Sequence, residues 1–202
     1  MDRNEIKYKQ KAISSFKTKF EIYLFMKTIN RNLTIISPAD FESFKITDEI
    51  VNIYTTIYWQ ECKDQKINGI LIQDIEKNIL EWKQQNRKLI MQLRNNYIAN
   101  CFPKLFPKKD FLTLLENTTC TYCRIAVKEI EKLSEERKLF KKNFRGWNME
   151  IDRLNSNYEY SKNNCVMACY WCNNAKSDEF TEDEFALIGI TISKIWKTRI
   201  NK

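Results

Sequence analysis

The chain has no histidine among its 202 residues. That excludes an imidazole base or metal ligand, and leaves chemistry near neutral pH to carboxylates, thiols, amides and fixed cations. Glycine and proline number 3 each, while Lys, Glu, Ile, Leu and Asn are abundant. With turn formers this scarce, helix is expected to dominate. No apolar run approaches the roughly 20 residues that cross a bilayer. The opening MDRNEIKYKQ lacks the apolar stretch of a signal peptide. The expectation is a soluble, cytoplasmic protein, where thiols stay reduced and paired cysteines hold metal rather than form disulfides.

What is present suffices for a core: 43% hydrophobic and 13% aromatic residues, beside 30% charged ones. At 202 residues, one or two domains fit. The net charge of +8 favours polyanionic partners, although the wealth of Lys, Asn and Ile fits an AT-rich genome equally well.

Residues 1–116 read as a helical domain. A stripe of Ile6, Ile13, Phe16, Phe20, Tyr23, Leu24 and Met26 predicts a helix over 5–27. Ser37-Pro38-Ala39-Asp40 reads as an N-cap, a proline at the first helical position and an early acid. Further helices are expected over 47–60, over 71–100 as the longest, and over 109–116, with Pro103 and Pro107 breaking the chain between the last two. Cys62 and Cys101 read as buried thiols.

Residues 117–202 differ. Cys120 and Cys123 form one C-x-x-C pair, and Cys169 and Cys172 a second, with 45 residues between Cys123 and Cys169. Two such pairs match a tetrahedral four-thiolate zinc site. Around them the chain reads as a knuckle at 118–123, a helix at 125–133, a basic run at 137–145, and a strand at 149–153. A polar loop at 154–163, a return strand at 165–168 and a helix starting near Cys169 follow. Thr181-Glu182-Asp183-Glu184 is a capping box for a last helix that buries Phe185, Ile188, Ile192, Ile195 and Trp196. The order is treble-clef-like. A unit this small needs its metal for folding energy, and four thiolates leave no open position for a reacting water, so the zinc is read as structural. Cys165 is expected to pack rather than ligate, and Tyr170 and Trp171 to pack against the last helix. The run Arg137, Lys138, Lys141, Lys142 and Arg145 carries no acid and is read as a phosphate-binding stretch or a solvated linker.

The stretches Glu150-Ile151-Asp152-Arg153 and Asn163-Asn164-Cys165-Val166-Met167-Ala168-Cys169-Tyr170-Trp171-Cys172-Asn173-Asn174-Ala175-Lys176 resemble the HNH endonuclease family. That family's pattern is an Asp-His pair ending one strand, an Asn at the start of the next, and C-x-x-C-[His/Asn]-x-x-Lys on a helix. The likeness covers residues 117–185. It implies a mainly α chain with a small α+β zinc unit: a helical N-terminal domain, then a treble-clef ββα-metal HNH-like domain. It also implies Asp152 and Asn173 as ligands of a catalytic Mg²⁺ or Mn²⁺, Asn164 as the residue steadying the base, and Lys176 facing backbone phosphates.

The departure falls on the family's base, because Arg153 stands where the histidine belongs. Arginine stays protonated and cannot take a proton from water, although it can clamp a phosphate. Another group must then activate water; Glu150, Tyr158, Glu159 and Tyr160 are near in sequence. Three functions follow from the resemblance and this departure. The first is a metal-dependent DNA endonuclease of a bacterial or phage-infected cell, whose helical domain positions DNA or docks a protein partner. The second is a nucleic-acid-binding module, for DNA or RNA, that has lost its base. The third is a structural subunit of a larger assembly.

Overall fold

The structure, a computed structural model, describes residues 2–58, 64–140 and 144–202. Contacts divide the chain into two compact units, Met1–Leu105 with Asn157–Tyr160, and Phe106–Ser156 with Ser161–Lys202. No helix among the described residues is long and apolar enough to cross a membrane.

The first unit is built around α1 (Arg3–Ile29), which buries Phe16, Phe20, Tyr23, Leu24, Phe25 and Ile29, while Ile6 near its start is exposed. Short α2 (Pro38–Ser43) starts as its sequence implies, with the Ser37 hydroxyl accepting from the Asp40 amide at 3.2 Å and proline in the first turn. It delivers Phe41 into α1, where the ring meets Phe16, Phe20, Tyr23 and Tyr97 at 5.1–6.2 Å. Helix α3 (Asp48–Thr55) is capped by Thr47. Residues 59–63 fall outside the described set, so the end of the expected 47–60 helix and Cys62 lie there. Cys101 is buried, as expected.

Three differences from the sequence reading have local causes. The expected 71–100 helix is two helices, α4 (Ile72–Gln85) and α5 (Arg87–Asn96). They part at Asn86, whose side-chain amide donates to the Trp82 carbonyl at 2.9 Å and so competes with the next helical turn. Ahead of α4 lies a hairpin of β1 (Lys66–Ile67) and β2 (Ile70–Leu71), turned by Asn68 and Gly69, which have φ of 50° and 78°. Positive φ at both turn positions is what Asn-Gly supplies most readily. Pro103 does not interrupt the chain: a π-helical turn at Tyr97–Cys101, in which the Phe102 amide reaches back to Tyr97 O, runs on from α5 into α6 (Phe102–Leu105), and the widened turn accommodates the proline. Pro107 does separate elements, standing just before α7 (Lys108–Leu115).

In the second unit the knuckle turns at Arg124, φ 63°, with the Arg124 amide donating to Cys120 O at 3.0 Å and the Cys120 amide to Ile125 O at 2.9 Å. Helix α8 (Val127–Glu135) follows, its Glu129 carboxylate reaching back to the Ala126 amide at 2.8 Å. Strands β3 (Glu150–Arg153) and β4 (Cys165–Ala168) pair antiparallel, with Glu150 opposite Ala168, Asp152 opposite Val166 and Arg153 opposite Cys165. The knuckle joins this hairpin through Thr121 N–H to Met167 O at 2.8 Å. Helix α9 (Tyr170–Lys176) leaves β4 at Cys169. Helix α10 (Glu182–Ile200) begins with the expected capping box, in which Glu184 Oε2 accepts from the Thr181 amide at 2.9 Å. It buries Phe185, Gly189 and Trp196, but Ile195 is 48% exposed. The buried line passes through the glycine, which turns Ile195 toward solvent.

Candidate functional site

Four sulfurs converge at the start of α9. Cys120 and Cys123 come from the knuckle, Cys169 is the N-cap of α9 and Cys172 lies in its first turn. All four Sγ atoms lie within 4.8 Å of one another, the Cys123–Cys169 pair at 3.6 Å. A tetrahedral zinc with sulfurs about 2.3 Å away has sulfur–sulfur edges of about 3.8 Å, so this buried all-sulfur set could hold a zinc-like ion. The neighbouring sulfurs, Cys120 first, push the Cys172 thiol up, a crowding of thiols that a bound divalent cation relieves. Cys165 lies outside the cluster, as expected.

Beside the cluster, β3 and α9 make a polar face. Strand alternation places Glu150 and Asp152 on one side of β3. One helical turn places Asn173 and Lys176 on one side of α9. Asp152 is 7% exposed; its Oδ2 accepts from Tyr122 Oη at 2.6 Å and lies 3.8 Å from Lys176 Nζ. Burial pushes the Asp152 carboxyl above its ordinary range, while the Tyr122 hydrogen bond and the Lys176 charge act the other way. Lys176 is 1% exposed, and its ammonium also donates to Arg153 O at 2.9 Å. The structure thus places the lysine that the resemblance turns toward phosphates inside the unit, as a counter-ion to Asp152.

Asn173 donates to Glu150 Oε2 at 2.6 Å. The same carboxylate receives Arg145 in a fork, with Nη2 at 3.0 and 2.9 Å and Nε at 3.2 Å. The guanidinium also lies 5.3 Å from the Tyr170 ring centroid. Sequence reasoning had placed Glu150 only among nearby acids. The signal that could have found it is the two-residue step from Asp152, which puts both acids on one strand face.

The remaining residues are spread more widely. Arg153 is half-buried at the end of β3. Asn164, just before β4, closes the loop by accepting from the Asn155 amide at 2.9 Å and donating to Asn155 O at 3.0 Å. Lys141 and Lys142 lie outside the described residues. Tyr158, Glu159 and Tyr160 belong to the helical unit. There Tyr158 donates to Asp48, Glu159 accepts from Tyr97 Oη at 2.6 Å, and Lys11 Nζ donates to the Tyr160 phenol at 3.3 Å. Trp171 packs at a tilt against Trp196 of α10, centroids 4.8 Å apart, as expected of it, and Tyr170 meets Trp171 at 5.9 Å.

No family model matches the chain, and no curated protein does. Among solved structures it is similar to the rare-cutting HNH restriction endonuclease PacI, whose structure is described for its perturbation of DNA. The two share 32% sequence identity over 46% of this chain and 66% of that one, at a TM-score of 0.40. The chain therefore spans just under two thirds of that protein's length.

Proposed function

We propose that the chain is an HNH-like, divalent-metal-dependent DNA endonuclease, with zinc holding the four cysteines in a structural site. The observation that supports this reading is the polar face of β3 and α9. There Glu150, Asp152 and Asn173 gather beside the cysteine cluster, with Lys176 balancing the buried acid. Carboxylate and amide oxygens are the donors a hard cation takes, so Asp152 and Asn173 suit Mg²⁺ or Mn²⁺. Bound there, such an ion supplies charge stabilisation at the leaving oxygen of the phosphodiester.

The side chains do the rest. Lys176 opposes from within the burial that raises the Asp152 carboxyl. Arg145, with a side chain 63% exposed, is the cation that a DNA phosphate can draw from Glu150. We assign proton removal from water to Glu150, because Arg153 stays charged and Glu150, 22% exposed in its side chain, is the acid of this face with solvent access. Arg153 serves as a phosphate clamp, Asn164 steadies the loop after β3, and Lys141 and Lys142 add sequence-independent affinity. The helical region, residues 1–116 in the sequence reading, positions DNA or docks a protein partner.

The test incubates zinc-loaded protein with plasmid and single-stranded DNA across Mg²⁺ and Mn²⁺. Cutting is expected, abolished in Asp152→Ala and lowered about 10²–10⁴-fold in Glu150→Gln. No cutting with any divalent ion overturns the reading. A second reading, a nucleic-acid-binding module, is favoured by the absence of histidine and the deep burial of Asp152. It takes over if the uncutting protein still shifts DNA or RNA.

A further inference from the structure

We propose that Tyr122 is a positioning residue for the Asp152 carboxylate, and that Gly189 of α10 permits its position. The inference rests on the reading of Asp152 as a metal-facing acid. Tyr122 stands inside the first cysteine pair, so the turn that aims Cys120 and Cys123 also fixes the tyrosine backbone. Its ring is 7% exposed and meets Phe185 of α10 edge-on at 5.0 Å and 85°. From there its hydroxyl reaches Oδ2 of Asp152 at 2.6 Å, the oxygen that Lys176 also approaches, at 3.8 Å. The phenol donates to that oxygen and the ammonium charge lies farther off, while the Arg153 backbone N–H also binds the carboxylate. The tyrosine thereby fixes one oxygen, and with it the orientation in which the carboxylate meets a cation. Outer partners of this kind orient metal-ligating carboxylates.

Gly189 makes the arrangement sterically feasible. A Cβ at that position would lie 3.0 Å from the carbonyl carbon, Cβ and carbonyl oxygen of Tyr122. Those atoms belong to the backbone and the root of the side chain, so they cannot swing aside like the tip of a flexible residue. Helix α10 therefore lies directly on the knuckle, and any side chain at residue 189 displaces Tyr122 and with it the hydroxyl on Asp152. The glycine is helical and needs no special backbone angle; close approach is its whole requirement.

The experiment titrates Mn²⁺ into the full zinc-loaded chain and follows the free-ion paramagnetic resonance signal, with zinc content measured in parallel. Tyr122→Phe keeps the ring and loses the hydroxyl. It is expected to keep its zinc and weaken Mn²⁺ binding about 10-fold or more, in the range that outer-partner changes produce. Gly189→Ala is expected to weaken binding by a similar factor, and the double variant to add no more than about twofold, because both act through one hydrogen bond. Wild-type Mn²⁺ affinity in Tyr122→Phe, with loss of binding in Asp152→Ala, overturns the positioning role and leaves the metal reading standing. Equal Mn²⁺ binding by the wild type and Asp152→Ala instead removes the metal reading, and this assignment falls with it. Should Tyr122→Phe lose zinc, Gly189→Ala decides: weakened Mn²⁺ binding with zinc retained supports the role, and unchanged affinity overturns it. Zinc loss in both variants assigns Tyr122 to the fold alone and also overturns it.

Discussion

In the helical unit four aromatic rings gather around Phe41, three of them from α1, and the buried residues are mostly large and apolar. In the other unit the residues at zero exposure include Cys120, Cys169 and Cys172, and an acid and a lysine are enclosed beside them. The first unit rests on apolar surface removed from water. The second gathers thiols and charges that favour folding only when something compensates them: a cation for the thiols, and Lys176 for Asp152. Polar residues can be aimed where a metal fixes the backbone, and so the candidate chemistry sits in the unit with the smaller apolar core.

The contrast can be broken at its strongest point first. Cys172→Ser is expected to lose zinc and the cooperative melting of the cysteine unit, while the helices of Met1–Leu105 keep theirs. Structural zinc sites supply about 10–16 kcal/mol of apparent binding energy in small units, which no other interaction there replaces. Circular dichroism melting with elemental analysis checks it, and a single unchanged melt shows that the cluster is not what holds the unit. The converse change is Phe41→Ala, which removes a ring in contact with four others and is expected to cost the helical unit about 3–5 kcal/mol. Zinc content should not change; its loss would show that the two units do not fold separately.

The smallest effect sharpens the comparison, because it concerns a charge in the apolar unit. Burial holds the Glu159 carboxyl above its ordinary value of 4.5, with the Tyr97 hydrogen bond opposing. The folded unit thus keeps a proton that the unfolded chain releases. The stability from this group is full below the ordinary value and is lost as pH rises through the raised one. Glu159→Gln keeps an acceptor for the tyrosine and removes the titration. Unfolding free energy measured across that window should fall with pH in the wild type and less so in the variant; equal slopes would place the carboxylate in solvent.

What the sequence made legible was what neighbouring residues settle among themselves. The Ser37-Pro38 start, the Thr181–Glu184 capping box, the cysteine spacing and the strand at Cys165–Ala168 all lie within a few residues of their causes. The division at Asn86 was missed because one side-chain amide overrode a good apolar stripe. Lys176 read as a surface cation because nothing in a chain of letters says that an acid 24 positions earlier will enclose it. Glu150 and Tyr122 were passed over for the same reason: each owes its place to a partner across the unit, at 2.6 Å in both cases.

The β3–β4 connection has a consequence for inheritance. The strands that carry Asp152 and Cys165 belong to one unit, yet the residues Asn157–Tyr160 between them belong to the other. There Tyr160 N–H donates to Ser15 at 3.1 Å, and Tyr97, whose single proton goes to Glu159, takes the Ser15 proton at 2.9 Å. The cysteine unit is therefore not a cassette that recombination can lift out whole. A graft begun at residue 106 would carry a tyrosine, a glutamate and a second tyrosine whose hydrogen-bond partners stayed behind. Lineages that exchange this half would have to exchange α1, α3 and Tyr97 as well, or redesign the loop.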